Sequence, residues 1–214
     1  MSKKSSKTKR PKKSKDQITY QNYSVQNNFE KFVINDQPFC GYIERKSSTG
    51  KLMYQITVQE GLPNGDYKSF HQNGILHSHG KYINGFQTGV WNYYFLDGTM
   101  SIEGNYQNGV KLGNFYVFHK NGVLDFECTF QNDEIVGYYS KYHTNGVLKE
   151  VGYKVKNVDL VHCLEFDDKG ELTDFGSFSN DQKIEGWSEK SFDQSTKSES
   201  DIQTDFDNST IGIV

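Results

Sequence analysis

Three histidines, His71, His119 and His143, recur at one position of a periodic chain, and imidazoles in register are the raw material of a metal ladder. The spacing argues against one. If each 24-residue period is a β-hairpin, equivalent residues stand two strands or roughly 10 Å apart, whereas zinc ligands lie about 2 Å from their ion. Phe95 takes the same position in the intervening unit, so an apolar packing role is expected for this column. His77 and His79 in "HSH" should point to one face of one strand, and two imidazoles without a third ligand do not make a zinc site. Glu103 and Glu127 are likewise a full unit apart, beyond the ~5–9.5 Å of paired glycosidase carboxylates. There is no G-x-S-x-G, P-loop or dinucleotide-binding fingerprint, and no Cys/His cluster with zinc spacing. Cys40, Cys128 and Cys163 are odd in number and far apart, which fits reduced thiols better than a disulfide framework. No enzyme, metal or cofactor is expected.

The element that positions these side chains is a repeat. Gly50, Gly74, Gly98, Gly122, Gly146 and Gly170 are each 24 residues apart, so units begin at Gly41, Gly65, Gly89, Gly113, Gly137 and Val161. The third position reads Ile43, Tyr67, Trp91, Phe115, Tyr139, Cys163, and the sixth reads Lys46, Phe70, Tyr94, Phe118, Tyr142, Phe166. The twelfth is always Leu or Met, the sixteenth mostly Gly, the eighteenth mostly aromatic. Asn-Gly or Asp-Gly at the ninth and tenth positions, flanked by apolar alternation, predicts a tight primed turn. On that register the third position faces the sixteenth, which sets Trp91 opposite Gly104 and Tyr67 opposite Gly80, each ring covering a bare backbone. One face should then collect positions three, twelve and eighteen as a continuous apolar stripe. The sixth-position aromatics fall on the other face unless a bulge intervenes.

Composition agrees with an all-β class. The chain has 214 residues, with 34% apolar residues, 14 Tyr, 15 Phe, 20 Gly and only 3 Pro. Mean hydropathy is −0.77, low for a thick globular core. Twelve strands would make an elongated single-layer antiparallel sheet roughly 55–60 Å long. Such a sheet has two large faces, and an apolar one needs covering by a tail, a second copy or a partner.

The stretch "GVWNYYFLDGTMSIEGNYQNGVKLG" at 89–113 resembles MORN repeats, in the variant form of YwqK-like proteins, over about 41–186. The resemblance implies a scaffold of successive hairpins that binds other proteins. Tyr67, Trp91, Phe115 and Tyr139 match its first aromatic position, and Phe70, Tyr94, Phe118 and Tyr142 its second, which makes these the candidate partner-binding residues. Two further classes are implied: a membrane-surface adaptor, and an antitoxin or immunity protein that neutralises a toxin.

Outside the array, residues 1–16 form a basic tail expected to be disordered, with Lys7, Lys9, Arg10, Lys12, Lys13 and Lys15 as an arm for anionic lipid or nucleic acid. The stretch "KTKRPKK" also suits a nuclear-targeting reading. Residues 17–40 read as a lead-in pairing with the first hairpin, and 187–214 as a disordered tail rich in Ser, Thr and Asp. Stacking of single-stranded nucleic acid on the aromatic columns would need a basic face, and residues 41–186 are not basic. With neither a membrane span nor a secretory signal in the sequence, a cytoplasmic protein is expected.

Overall fold

The structure, a computed structural model, describes residues 19–22, 30–154, 161–179 and 182–184. The basic arm, including Lys7, Lys9, Arg10, Lys12, Lys13 and Lys15, and the tail 187–214 lie outside the described residues. No helix occurs among the described residues.

Three short strands come first: β1 (Thr19–Asn22), β2 (Glu30–Ile34) and β3 (Gln37–Pro38). The six units follow as hairpins: β4 (Gly41–Lys46) with β5 (Leu52–Gln59), β6 (Leu62–Phe70) with β7 (Leu76–Ile83), and β8 (Phe86–Tyr94) with β9 (Met100–Gln107). The later three are β10 (Val110–Phe118) with β11 (Leu124–Gln131), β12 (Glu134–Tyr142) with β13 (Leu148–Lys154), and β14 (Val161–Phe166) with β15 (Leu172–Ser179). With β16 (Gln182–Ile184) they form one antiparallel sheet of 13 strands in strict sequence order.

The two kinds of Asn-Gly pair do different jobs. Between units, Asn84 and Gly85 have φ of 50° and 86°, and Asn108 and Gly109 have 52° and 81°, the left-handed pair of a primed two-residue turn. At the hairpin tips only the glycine is left-handed, as at Gly98 with φ 91°. There the Gly98 amide donates to the Phe95 carbonyl at 2.9 Å and the Phe95 amide to the Thr99 carbonyl at 2.8 Å. This is a three-residue loop, a turn closed by a left-handed glycine, and not the two-residue turn expected at positions nine and ten.

A second departure follows one step into each hairpin. Ser69 faces Ser78 but Phe70 faces Leu76, so His77 is an extra, bulged residue. The same slip recurs between Tyr93 and Tyr94, Val117 and Phe118, and Lys141 and Tyr142. The third-to-sixteenth register is as expected: Tyr67 faces Gly80 and Trp91 faces Gly104. The bulge, however, moves the twelfth-position Leu or Met to the face of its partner at position six, off the face of Trp91. It also parts the two histidines of "HSH". His77 packs on His71, with ring centroids 4.6 Å apart, and lies 3.0 Å from the Ser69 hydroxyl, whereas His79 stacks on Tyr94 on the opposite face.

The lead-in strands pair among themselves as β1–β2–β3 and do not extend the large sheet. Asn35 and Asp36 (φ 50° and 60°) repeat the inter-unit turn, but six steps separate Asn35 from Gly41 where five separate Asn84 from Gly89. One added residue takes the chain out of register with the ladder. The small sheet instead docks beside the β5–β6 turn, with the Phe32 amide donating to Gly61 O and the Gly61 amide to Phe39 O, both at 2.9 Å. Phe32 and Phe39 pack with Ile43, Ile56 and Val58. Gly61 is required by this approach, because a β-carbon there would stand 2.9 Å from the Phe32 carbonyl oxygen.

Candidate functional site

The third-position column lies in a row that crosses the sheet on one face, called the front. Large and small residues alternate along it: Trp91 faces Gly104, Gly104 faces Phe115, Phe115 faces Cys128, Cys128 faces Tyr139, and Tyr139 faces Gly152. A β-carbon on Gly80 would fall 2.4 Å from the Trp91 ring, and one on Gly104 would fall 2.2 Å from Phe115. Each of these rings leans back over the glycine before it, which corrects the expected covering: Gly80 lies under Trp91 in place of Tyr67, and Gly104 under Phe115 in place of Trp91. Tyr139 leans forward over Gly152, at 2.4 Å, because the residue before it is Cys128, whose side chain already fills that place.

Tyr82, Tyr106 and Phe130 of the eighteenth position interleave with these rings edge to face. Centroid distances are 5.0 Å for Tyr82–Trp91, 5.4 Å for Tyr106–Phe115 and 4.8 Å for Phe115–Phe130, within the favourable range for T-shaped pairs. The consequence is burial without a second layer. Trp91 is 1% exposed and Phe115 5%, while Tyr67 and Tyr139 are half-buried. The Trp91 indole N–H, which needs a partner once out of water, donates to Lys81 O at 3.1 Å. Thus the first aromatic column forms the core of the sheet.

Phe70, Tyr94, Phe118 and Tyr142 sit on the opposite face, the back, each directly across from Leu76, Met100, Leu124 or Leu148. All eight side chains are partly exposed, in the same range as Tyr67 and Tyr139 on the front. They form one apolar band near the hairpin tips, repeated every two strands or about 10 Å. The Tyr94 hydroxyl lies 3.1 Å from His79 Nε2, and the Tyr142 hydroxyl donates to Glu127 at 2.6 Å.

Three consecutive units match the MORN repeat variant. The matched residues are 63–84, 87–108 and 111–132, a narrower span than the 41–186 expected from the sequence. No curated protein matches the chain. MORN repeats are generally non-catalytic modules for protein or membrane interaction.

The matched MORN span ends just before β12, and the sheet changes character there. On the front, the row beside the aromatic one runs Tyr93, Ile102, Val117, Phe126 and then continues as Lys141, Glu150, Glu165, Asp174. On the back, the adjacent row runs Asn92, Glu103, Tyr116, Glu127 and then Ser140, Val151, Leu164, Phe175. Apolar character crosses from front to back. Lys141 and Glu150 pair at 2.6 Å on the front, where the Tyr139 hydroxyl also donates to Glu150, while Leu164 on the back is fully buried.

The histidine column has a role that its residue type did not announce. His71 Nε2–H donates to Tyr94 O at 2.8 Å, His119 to Tyr142 O at 2.9 Å, and His143 to Phe166 O at 2.9 Å. The expected apolar packing role is corrected: these imidazoles tie the tips of units two, four and five each to the next. The tip asparagines run parallel to them, with Asn73, Asn121 and Asn145 donating to Leu96 O, Thr144 O and Asp168 O at 2.7–2.8 Å. A sequence pattern cannot flag either bond, because the acceptor is a backbone carbonyl one unit away.

Among the described residues, no three His, Cys, Asp or Glu side chains gather closely enough to hold a metal ion. Burial pushes the Cys128 thiol up to about 11 and the Cys163 thiol up to about 12, so both are poor nucleophiles near neutrality. Burial likewise raises the Tyr82 and Tyr106 hydroxyls, and for Tyr139 the Glu150 carboxylate adds to it.

Proposed function

We propose that the chain is a non-catalytic repeat scaffold that binds a protein partner along the back-face band of Phe70, Tyr94, Phe118 and Tyr142. The observation that carries this reading is their partial exposure at one repeat position on four successive hairpins, three of them matched MORN-type units. Tyr67, Trp91, Phe115 and Tyr139 serve the same function indirectly, by holding the sheet in shape from the front. A regular grid of apolar rungs suits an extended partner segment that crosses the strands and places a side chain on each rung.

The test is a comparison of bound proteins between the wild type and a Tyr94→Ser, Phe118→Ser double variant matched for melting temperature. Loss of a specific partner is expected from the variant. Equal retention would remove the band from the binding surface. Sedimentation with anionic vesicles that disappears on deleting residues 1–16 would favour the membrane-surface adaptor instead. A bound toxin neutralised by the chain would place it with antitoxin-like YwqK-type proteins.

A further inference from the structure

The paired His and Asn ties between hairpin tips are present at three of the five junctions; unit one, with Ser47 and Thr49 at these positions, reaches unit two instead through Lys51 Nζ donating to Gln72 O at 2.7 Å, and unit three has no such bond. Unit two reaches unit three through His71 and Asn73, unit four reaches unit five through His119 and Asn121, and unit five reaches unit six through His143 and Asn145. Unit three carries Phe95 and Asp97 at the same two positions. Neither side chain can donate: a phenyl ring has no N–H, and the Asp97 carboxylate only accepts, taking the Thr99 amide at 2.9 Å. A third contact is altered with them. Ile75, Val123 and Val147 present an aliphatic side chain to the glycine of the next tip, and unit three presents Thr99. What remains across this junction at the tip is the Thr99 methyl against Gly122 and the attraction between Asp97 and Lys120, two solvent-exposed charges of little holding power in salt.

We propose that the seam between β9 and β10 opens at its tip end ahead of the seams on either side, giving the array a built-in bending point between its third and fourth units. The backbone ladder still joins the two strands from Val110 to Val117, so the opening is local and leaves the inter-unit turn at Asn108–Gly109 as its pivot. A sheet that can flex at one place adapts the back-face band to a partner while the rest stays rigid.

Native-state hydrogen exchange on the full chain tests this. Corrected for intrinsic rates, the amides of Tyr116 and Phe118, which alternate with those turned into their own hairpin, are expected to exchange at least about tenfold faster than the equivalent amides of Asn92 and Tyr94 and of Ser140 and Tyr142. A Phe95→His, Asp97→Asn variant, which supplies both donors, should bring the three sets level. A reciprocal His119→Phe, Asn121→Asp variant should move fast exchange to Ser140 and Tyr142, and it decides the matter if the first variant folds poorly. Equal protection at all three seams in the wild type, or unchanged patterns in the variants, would overturn the proposal.

Discussion

Units two to four and units five and six are built on the same strand register, yet the row flanking the third-position column is apolar on the front in the first group and on the back in the second. In the first group the front row alternates rings with glycines, and the neighbouring row is Tyr93, Ile102, Val117, Phe126. In the second group the same two rows hold Tyr139, Cys163, Lys141 and Glu150, and the apolar side chains have moved behind the sheet to Val151, Leu164 and Phe175. Backbone pairing and glycine placement therefore define the repeat, while the choice of buried face is a separate property that residue alternation can switch between one strand and the next.

That contrast can be broken most forcefully at the third position. Replacing Trp91 by Ala should cost about 3–5 kcal/mol in urea-unfolding free energy, because a fully buried ring with several aromatic neighbours is lost. Cys163→Ala, the same position in the polar half, should cost far less, since a thiol removes little apolar volume. Equal losses would mean that the two halves share one kind of core. A somewhat smaller effect is expected from Gly104→Val, about 1–3 kcal/mol or more, as its side chain meets the Phe115 ring. Thermal unfolding measures it, and a Phe115→Leu second change should restore part of the loss.

Alkaline pH probes both halves at once. The folded chain holds Cys128 and Cys163 as thiols up to about 11 and about 12, above their unfolded values, so it binds more protons than the unfolded chain in that window. Their contribution is complete below the ordinary thiol range and is lost as pH rises through these folded values. A drop on the order of 1–2 kcal/mol is expected between neutrality and about pH 10, diminished in a Cys128→Ala, Cys163→Ala variant. The smallest expected effect marks the border between the halves. Lys111 places its ammonium 4.7 Å from the Phe130 ring centroid and 5.4 Å from that of Phe115, and Lys111→Ala should cost about 0.5–1 kcal/mol by the same unfolding assay.

The period, the hairpin order and the pairing of position three with position sixteen were legible because glycines and aromatics are restrictive residue types that recur in phase. The bulge was not. Its residues, Met53, His77, Ser101, Asp125, Lys149 and Thr173, share no chemistry, so nothing in the residue types marks the slip that carries Leu76 and Met100 to the back face. The tip turns were misread for a related reason: Asn-Gly serves both a primed turn and a loop closed by a single left-handed glycine. Of the candidate residues, Trp91 and Phe115 emerge buried, whereas Tyr67 and Tyr139 remain partly exposed, as do Phe70, Tyr94, Phe118 and Tyr142. Interlocking rings of adjacent hairpins achieve that burial, and no single repeat displays it.

The tip bonds described above all reach forward along the chain, from Lys51 to Gln72 O, from Asn73 to Leu96 O and from Asn145 to Asp168 O. Dependence in this ladder runs one way: each tied hairpin supplies the donors and its successor supplies the carbonyls that accept them. Trimming the array from its amino-terminal side would leave every remaining anchor in place, whereas trimming from the other side would strip a donor pair of its acceptors at every cut that follows a tied hairpin.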